Sequence, residues 1–221
     1  LDRGVESAKK TGTFVMVDQT PIKSRPMDKM MLKHLNPGDI VTHCYGYSKP
    51  MIDRNNKVHK YFYEARKKGI LFDVGHGAGS FSFKIANAAL KEDFLPDTIS
   101  TDMHVNSILN NQASMPEVMS RLLACGMKLD DIIKKSTLDP AIKIGHPELG
   151  TLSESAIADI AVLNINNGNF GLTDNGSGIR KYLTNKRINC EMTIKDGEIL
   201  WDLNGRSRDH WEWTPPPYQT N

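Results

Sequence analysis

The chain has 221 residues, 39% of them hydrophobic and 24% charged, which excludes disorder of the whole and allows one substantial core or a core with a small second domain. Its 28 basic and 26 acidic residues are mixed along the sequence, so neither a nucleic-acid-binding face nor an acidic tail is expected. Cys44, Cys125 and Cys190 are odd in number and lack CxxC spacing, excluding a disulfide framework, and no run approaches the ~20 apolar residues of a membrane span.

From residue 13 to residue 101 one arrangement recurs: a short apolar run of strand type, a polar residue at its end, a loop and a helical stretch. The runs are 13–17 ending in Asp18, 39–42 ending in His43, 70–74 followed by Gly75 and His76, and 98–101 ending in Asp102. Their spacing fits βαβ units of ~30 residues and therefore parallel pairing. Helices are expected at 26–35, 59–68 with Gly69 as its stop, and 80–90, and turns before the next strands at 36–39 and 95–97. Residues 103–114 read as a loop, followed by helices at 116–125, 129–136 and 139–144. From Gly150 the texture changes to strands at 158–163, 190–194 and 198–201, with a hairpin turn at Asp196-Gly197. The Asn- and Gly-rich stretch 164–177 reads as a long loop, and 206–221, with Pro215, Pro216 and Pro217, as an extended tail in which Trp211 and Trp213 could cap the β region or a neighbouring chain.

Loops at the carboxyl ends of parallel strands form the functional face of such folds, and Asp18, His43, His76 and Asp102 all stand there. A histidine after a strand is commonly a structural residue; four successive side chains of metal-ligand type favour a metal site. Imidazole and carboxylate together suit zinc, iron, manganese or nickel, and a divalent ion brings the pKa of bound water towards ~7. Asp102 suits both ligation and proton transfer, with an N-cap or turn aspartate as its structural alternative. Tyr45 and His104, one or two positions from the proposed ligands, could contact substrate or support the ligands by packing.

The runs Pro37-Gly-Asp-Ile-Val-Thr-His-Cys-Tyr45, Leu71-Phe-Asp-Val-Gly-His-Gly77, Ser80-Phe-Ser-Phe83 and Phe94-Leu-Pro-Asp-Thr-Ile-Ser-Thr-Asp-Met-His104 resemble the deacetylase-like, dihydroorotase-related branch of the metal-dependent amidohydrolases. Residues 150–160 and 193–201 are similar to the closing β-sandwich of that superfamily. The resemblance implies an α/β fold: strands 5 to 8 of a (β/α)8 barrel over residues 1–146, part of a β-sandwich over 147–205, and a tail over 206–221. It makes His43 the strand 6 metal ligand, Asp102 the strand 8 ligand and general base, and His76 a substrate-facing residue at the end of strand 7. It implies one or two divalent ions per complete site, zinc foremost, and hydrolysis of a C–N amide bond, cyclic or N-acyl, with an ester as a variant. Asp18 stands where related sequences commonly have histidine, as a carboxylate ligand or a hydrogen-bonding neighbour. The superfamily's His-x-His pair and strand 4 lysine are not in the sequence, and the opening Leu1-Asp2-Arg3-Gly4 has no start methionine or signal-peptide pattern.

The true N-terminus, with strands 1 to 4, is therefore expected elsewhere, and the compartment stays open with the cytoplasm as a weak default. The expected partners are a small-molecule substrate and either a second copy or the N-terminal half, because half a barrel leaves open sheet edges; no nucleic acid or membrane is expected. Two other readings stand beside this one. The chain could be a non-catalytic or truncated barrel piece, or the Gly75–Gly79 loop could cradle a nucleotide phosphate, although the third glycine of GxGxxG is missing.

Overall fold

The computed structural model describes residues 1–18, 23–24, 26–48, 51–77, 79–111, 114–174 and 180–212, with no side chains at 110 and 111. Trp213, the tail from 213 onward, residues 175–177 of the expected loop, Gln19, Thr20 and Pro21 after the first run, and Ala78 of the glycine loop lie outside the described residues. No helix among the described residues is long and apolar enough to cross a membrane.

Helix α1 (Asp2–Thr11) turns Ala8 and the half-buried Val5 inward and stops at Gly12, whose left-handed backbone returns an N–H to the Ala8 carbonyl. Strand β1 (Met16–Val17) follows, then helix α2 (Met27–Lys29) running directly into a π-helical turn, Met30–His34, which packs Met27, Met30 and Met31 inward. Strand β2 (Ile40–Val41) leads, through a loop, to helix α3 (Lys60–Lys67), which buries Phe62 and Ala65. Gly69, at φ 93, ends that helix as expected, and a Cβ there would lie 3.0 Å from Pro37 Cβ. Strand β3 (Leu71–Phe72) and helix α4 (Phe83–Lys91), whose alanines 86, 88 and 89 allow close packing, complete the pattern.

The three strands pair in parallel in chain order, Met16 to Ile40 and Val17 to Val41, then Ile40 to Leu71 and Val41 to Phe72. Residues 98–101, expected as a fourth strand, run alongside β3 with one parallel bridge, Asp73 to Thr98. The Val74, His76 and Gly77 N–H groups donate to the Thr98, Ser100 and Thr101 carbonyls. The core beneath is aromatic: Phe62, Phe72 and Phe94 meet at centroid distances of 5.2–6.1 Å, and the Arg66 guanidinium lies 3.7 Å from the Phe94 centroid.

Two expected loops are ordered elements. Residues 105–111 of the first are helix α5 (Val105–Asn111), because the Ser107 hydroxyl reaches back to accept the His104 N–H at 2.8 Å, half of a capping box. Helices α6 (Met115–Ala124), α7 (Leu129–Ser136) and α8 (Leu138–Lys143) follow, then a 3-10 turn at Pro147–Gly150. The second corrected loop lies in strand β4 (Ile160–Asp174), antiparallel to β5 (Arg180–Lys195), which pairs with β6 (Glu198–Asp202). Its Asn and Gly content pointed to a loop, but apolar residues recur at Leu163, Ile165, Phe170 and Leu172, and irregular register between Asn167 and Phe170 absorbs the Gly168 region. Pairing out to Asp174 and Arg180 outweighs the low strand propensity of the asparagines.

The two sheets share one apolar core. Leu172 and Ile188 are buried in the same cluster as Phe72 and Phe94, and Tyr182 stacks on Phe83 at 4.0 Å. Helix α6 joins them with charge as well: buried Glu117 accepts from Arg187 at 2.9 and 3.1 Å and pairs with the fully buried Arg121 at 3.3 Å.

Candidate active site

The carboxyl ends of the parallel strands collect the polar residues. His43, two residues after β2, is buried at φ 59, and its Nδ1–H donates to the Gly75 carbonyl at 2.6 Å. A carbonyl can only accept, so Nδ1 carries a hydrogen, and in the neutral ring this tautomer leaves the lone pair on Nε2. Nε2 lies 3.5 Å from Asp18 Oδ2 and 3.9 Å from Asp102 Oδ2. Both carboxylates keep access to solvent, with the Asp18 side chain 66% exposed and that of Asp102 46% exposed. The structure thus brings the two expected carboxylates to one ring nitrogen of the third expected ligand, His43.

Donors on one tetrahedral zinc ion stand about 3.4 Å apart, given bonds of ~2.1 Å; the Asp18 separation of 3.5 Å is near that value and the Asp102 separation of 3.9 Å exceeds it. In donor chemistry the set fits a divalent metal. It is a partial shell: among the described residues, no three His, Cys, Asp or Glu side chains converge tightly enough to hold an ion by themselves.

The glycines beside it have a local explanation. A Cβ on Gly75, at φ 47, would sit 2.2 Å from Thr42 Oγ1 and 2.7 Å from His43 Nδ1. One on Gly77, at φ 53, would sit 2.5 Å from Asp102 Oδ2. The loop between β3 and α4 is glycine-rich because the imidazole and the carboxylate pass directly over its backbone, so neither glycine requires a bound phosphate to explain it.

His76 is only 1% exposed and stacks on Phe81 at 5.4 Å, and neither ring nitrogen has a hydrogen-bond partner among the described residues. Burial, with the Arg121 guanidinium second, pushes its pKa down to about 3; the Gly77 backbone favours the charged form but does not reach hydrogen-bond geometry with the ring. His76 is held neutral beneath the site's surface. Tyr45, expected near substrate, is in the core: it is fully buried, stands edge-on to Phe81, and donates its hydroxyl to the Phe94 carbonyl at 2.9 Å. That burial raises its pKa well above the usual phenol value. His104 is exposed at the entrance to α5, where its backbone N–H and carbonyl both bond the Ser107 hydroxyl.

Asp73 lies inside the apolar run 70–74, where the strand-end pattern does not single it out. It is 1% exposed and accepts three hydroxyl hydrogen bonds, from Thr42 at 2.8 Å, Thr98 at 2.8 Å and Ser100 at 2.7 Å. A carboxyl in an otherwise apolar strand was the available signal, because such a group is buried only when satisfied.

Parallel strands with helices between them, imidazole and carboxylate at their carboxyl ends and a second antiparallel sheet packed alongside define an α/β protein with its candidate site at the strand ends. The chain belongs to the amidohydrolase family, whose pattern matches residues 7–200, in agreement with the motif resemblance. A protein from Brucella anthropi named deacetylase is 33% identical over 152 residues, 68% of this chain and 38% of that protein. A crystal structure titled as an adenine deaminase is 28% identical with a TM-score of 0.80, covering 91% of this chain and 56% of that one. One titled as a dihydroorotase is 27% identical with a TM-score of 0.76, over 91% and 54%. The chain spans less than two fifths of the deacetylase and just over half of each solved chain.

Proposed function

We propose that this chain provides the metal-site face of a hydrolase acting on a C–N bond of a cyclic amide or N-acyl small molecule, with an ester as a variant. The observation that carries the reading is the fixed imidazole, Nδ1–H on the Gly75 carbonyl and Nε2 turned to two carboxylates. His43, Asp18 and Asp102 would hold a divalent ion, zinc foremost, which when bound lowers the pKa of water towards neutrality. His43 supplies an oriented nitrogen and cannot swing, because its other nitrogen is committed. Asp102, open to solvent, takes the proton of the attacking water on a carboxylate oxygen and returns it to the leaving nitrogen, as general base and then general acid. His104 lines the approach for substrate, while neutral His76 supports the site from below.

In this reading the parallel segments are strands 5 to 8 of a (β/α)8 barrel and the antiparallel sheet is part of a β-sandwich. The TM-score of 0.80 over just over half of the chain solved as an adenine deaminase supports it. The free edge of β1 would pair with the remaining barrel strands, contributed by further polypeptide or by a second copy. The incomplete donor set favours one further reading: the 221 residues by themselves bind an ion weakly and turn nothing over at a useful rate.

His43→Ala tests the site. Zinc or cobalt content, measured by elemental analysis after dialysis, should fall to background while the fold, followed by circular dichroism, persists. Unchanged metal content in the folded variant would remove His43 as a ligand.

A further inference from the structure

We propose that Asp73 is a positioning residue for the His43 and Asp102 pair: its buried carboxyl ties together the ends of three neighbouring parallel segments, and so holds the imidazole and the second carboxylate facing one another. The inference rests on the reading of His43 and Asp102 as the site. Thr42, which donates to Asp73 Oδ2, is bonded to His43 in the chain. Ser100, which donates to the same oxygen, lies two residues before Asp102. Thr98 holds the other oxygen, Oδ1, and forms the parallel bridge to Asp73 itself.

The geometry around these bonds explains why they bear on orientation and not only on stability. His43 and Asp102 both have left-handed backbones, at φ 59 and 46, a conformation that crowds the Cβ of an L-residue and persists only where the surroundings enforce it. Thr42 immediately precedes the first of these strained positions, and Ser100 lies two residues before the second. Gly75, whose carbonyl receives the His43 Nδ1–H, lies two residues after Asp73, and a Cβ there would come within 3.2 Å of Asp73 Oδ2 and 2.2 Å of Thr42 Oγ1. The Cys44 N–H also donates to the Asp73 carbonyl, at 3.0 Å. Thr42, Thr98 and Ser100 therefore meet at one buried carboxyl, the first beside His43 in the chain and Ser100 two residues before Asp102. Removing the carboxyl leaves three hydroxyls without their acceptor and releases both strained backbones.

The test compares Asp73→Asn and Asp73→Ala with the unaltered 221-residue chain. Asparagine keeps the shape and one acceptor oxygen, so it should rescue most of what alanine loses. The two readouts are the 15N chemical shifts of the His43 ring, which report its tautomer with no metal present, and the dissociation constant and visible absorption of bound Co(II). Asp73→Ala should mix the His43 tautomers and weaken Co(II) binding about ten- to a hundredfold, with a changed absorption spectrum. If the alanine variant does not fold, Ser100→Ala and Thr42→Val each remove one anchor and should shift the same signals partway. His43 shifts that stay at the unaltered values in a folded Asp73 variant would overturn the proposal and leave Asp73 a structural staple. If the unaltered chain binds no Co(II) while the tautomer still responds to Asp73, positioning stands and the metal reading falls.

Discussion

Acidification should destabilise this protein through His76 in a way that a single substitution removes. The ring is buried without a hydrogen-bond partner among the described residues, and its pKa is pushed down to about 3 from an ordinary 6.5. The unfolded chain therefore takes up the proton first. The stability linked to this group is complete above about pH 6.5 and is lost progressively as the pH falls towards 3. The slope is about 1.4 kcal/mol per pH unit inside that window, so moving from about pH 7 to about pH 5 should cost about 2 kcal/mol from His76 alone. Urea denaturation of the unaltered chain and of His76→Phe at both pH values isolates the effect. Phenylalanine retains the stack on Phe81 and has no proton to bind, so every other titrating group cancels in the difference. The unaltered chain should lose about 2 kcal/mol more than the variant over this range. Equal losses would show that His76 is hydrogen-bonded or solvated in solution, and would refute the argument from its burial.

Asp102→Asn should leave Co(II) binding within about tenfold, because an amide oxygen can still ligate. It should lower turnover of N-acyl or cyclic amide substrates about 10²- to 10⁴-fold in the assembled enzyme, measured at saturating metal. Near-normal turnover would reassign Asp102 as a turn residue. Gly77→Ala places a Cβ at a left-handed position and 2.5 Å from Asp102 Oδ2. It should cost about 1–2 kcal/mol in chemical denaturation, and the loss in Co(II) affinity should accompany it, since the flexible carboxylate moves first. Metal binding unaffected by this change would separate Asp102 from the ligand set.

The sequence by itself determined the order of elements and the location of the polar strand ends. Apolar runs ending in Asp18 and His43 and the run before His76, spaced for βαβ units, required parallel pairing, and the structure pairs them in chain order, with the run ending in Asp102 joined to the third by one parallel bridge. The glycines after β3 were visible too, but their reason was not: only the fold shows an imidazole and a carboxylate crossing Gly75 and Gly77. Asp73 and Tyr45 mark the same divide. Their positions, in an apolar run and two residues beyond His43, do not state which way they face, and tertiary packing turned one into a buried acceptor for three hydroxyls and the other into a core residue hydrogen-bonded to Phe94. The extent of β4 was hidden for a related reason. Local propensity reads Asn and Gly as loop, whereas a strand forms wherever a long partner such as β5 satisfies its backbone groups and a shared core takes its alternate side chains. Periodicity and spacing are local properties that a sequence displays; the facing of a side chain and the pairing of a polar strand are set by segments far away in the chain, and only the folded molecule brings those together.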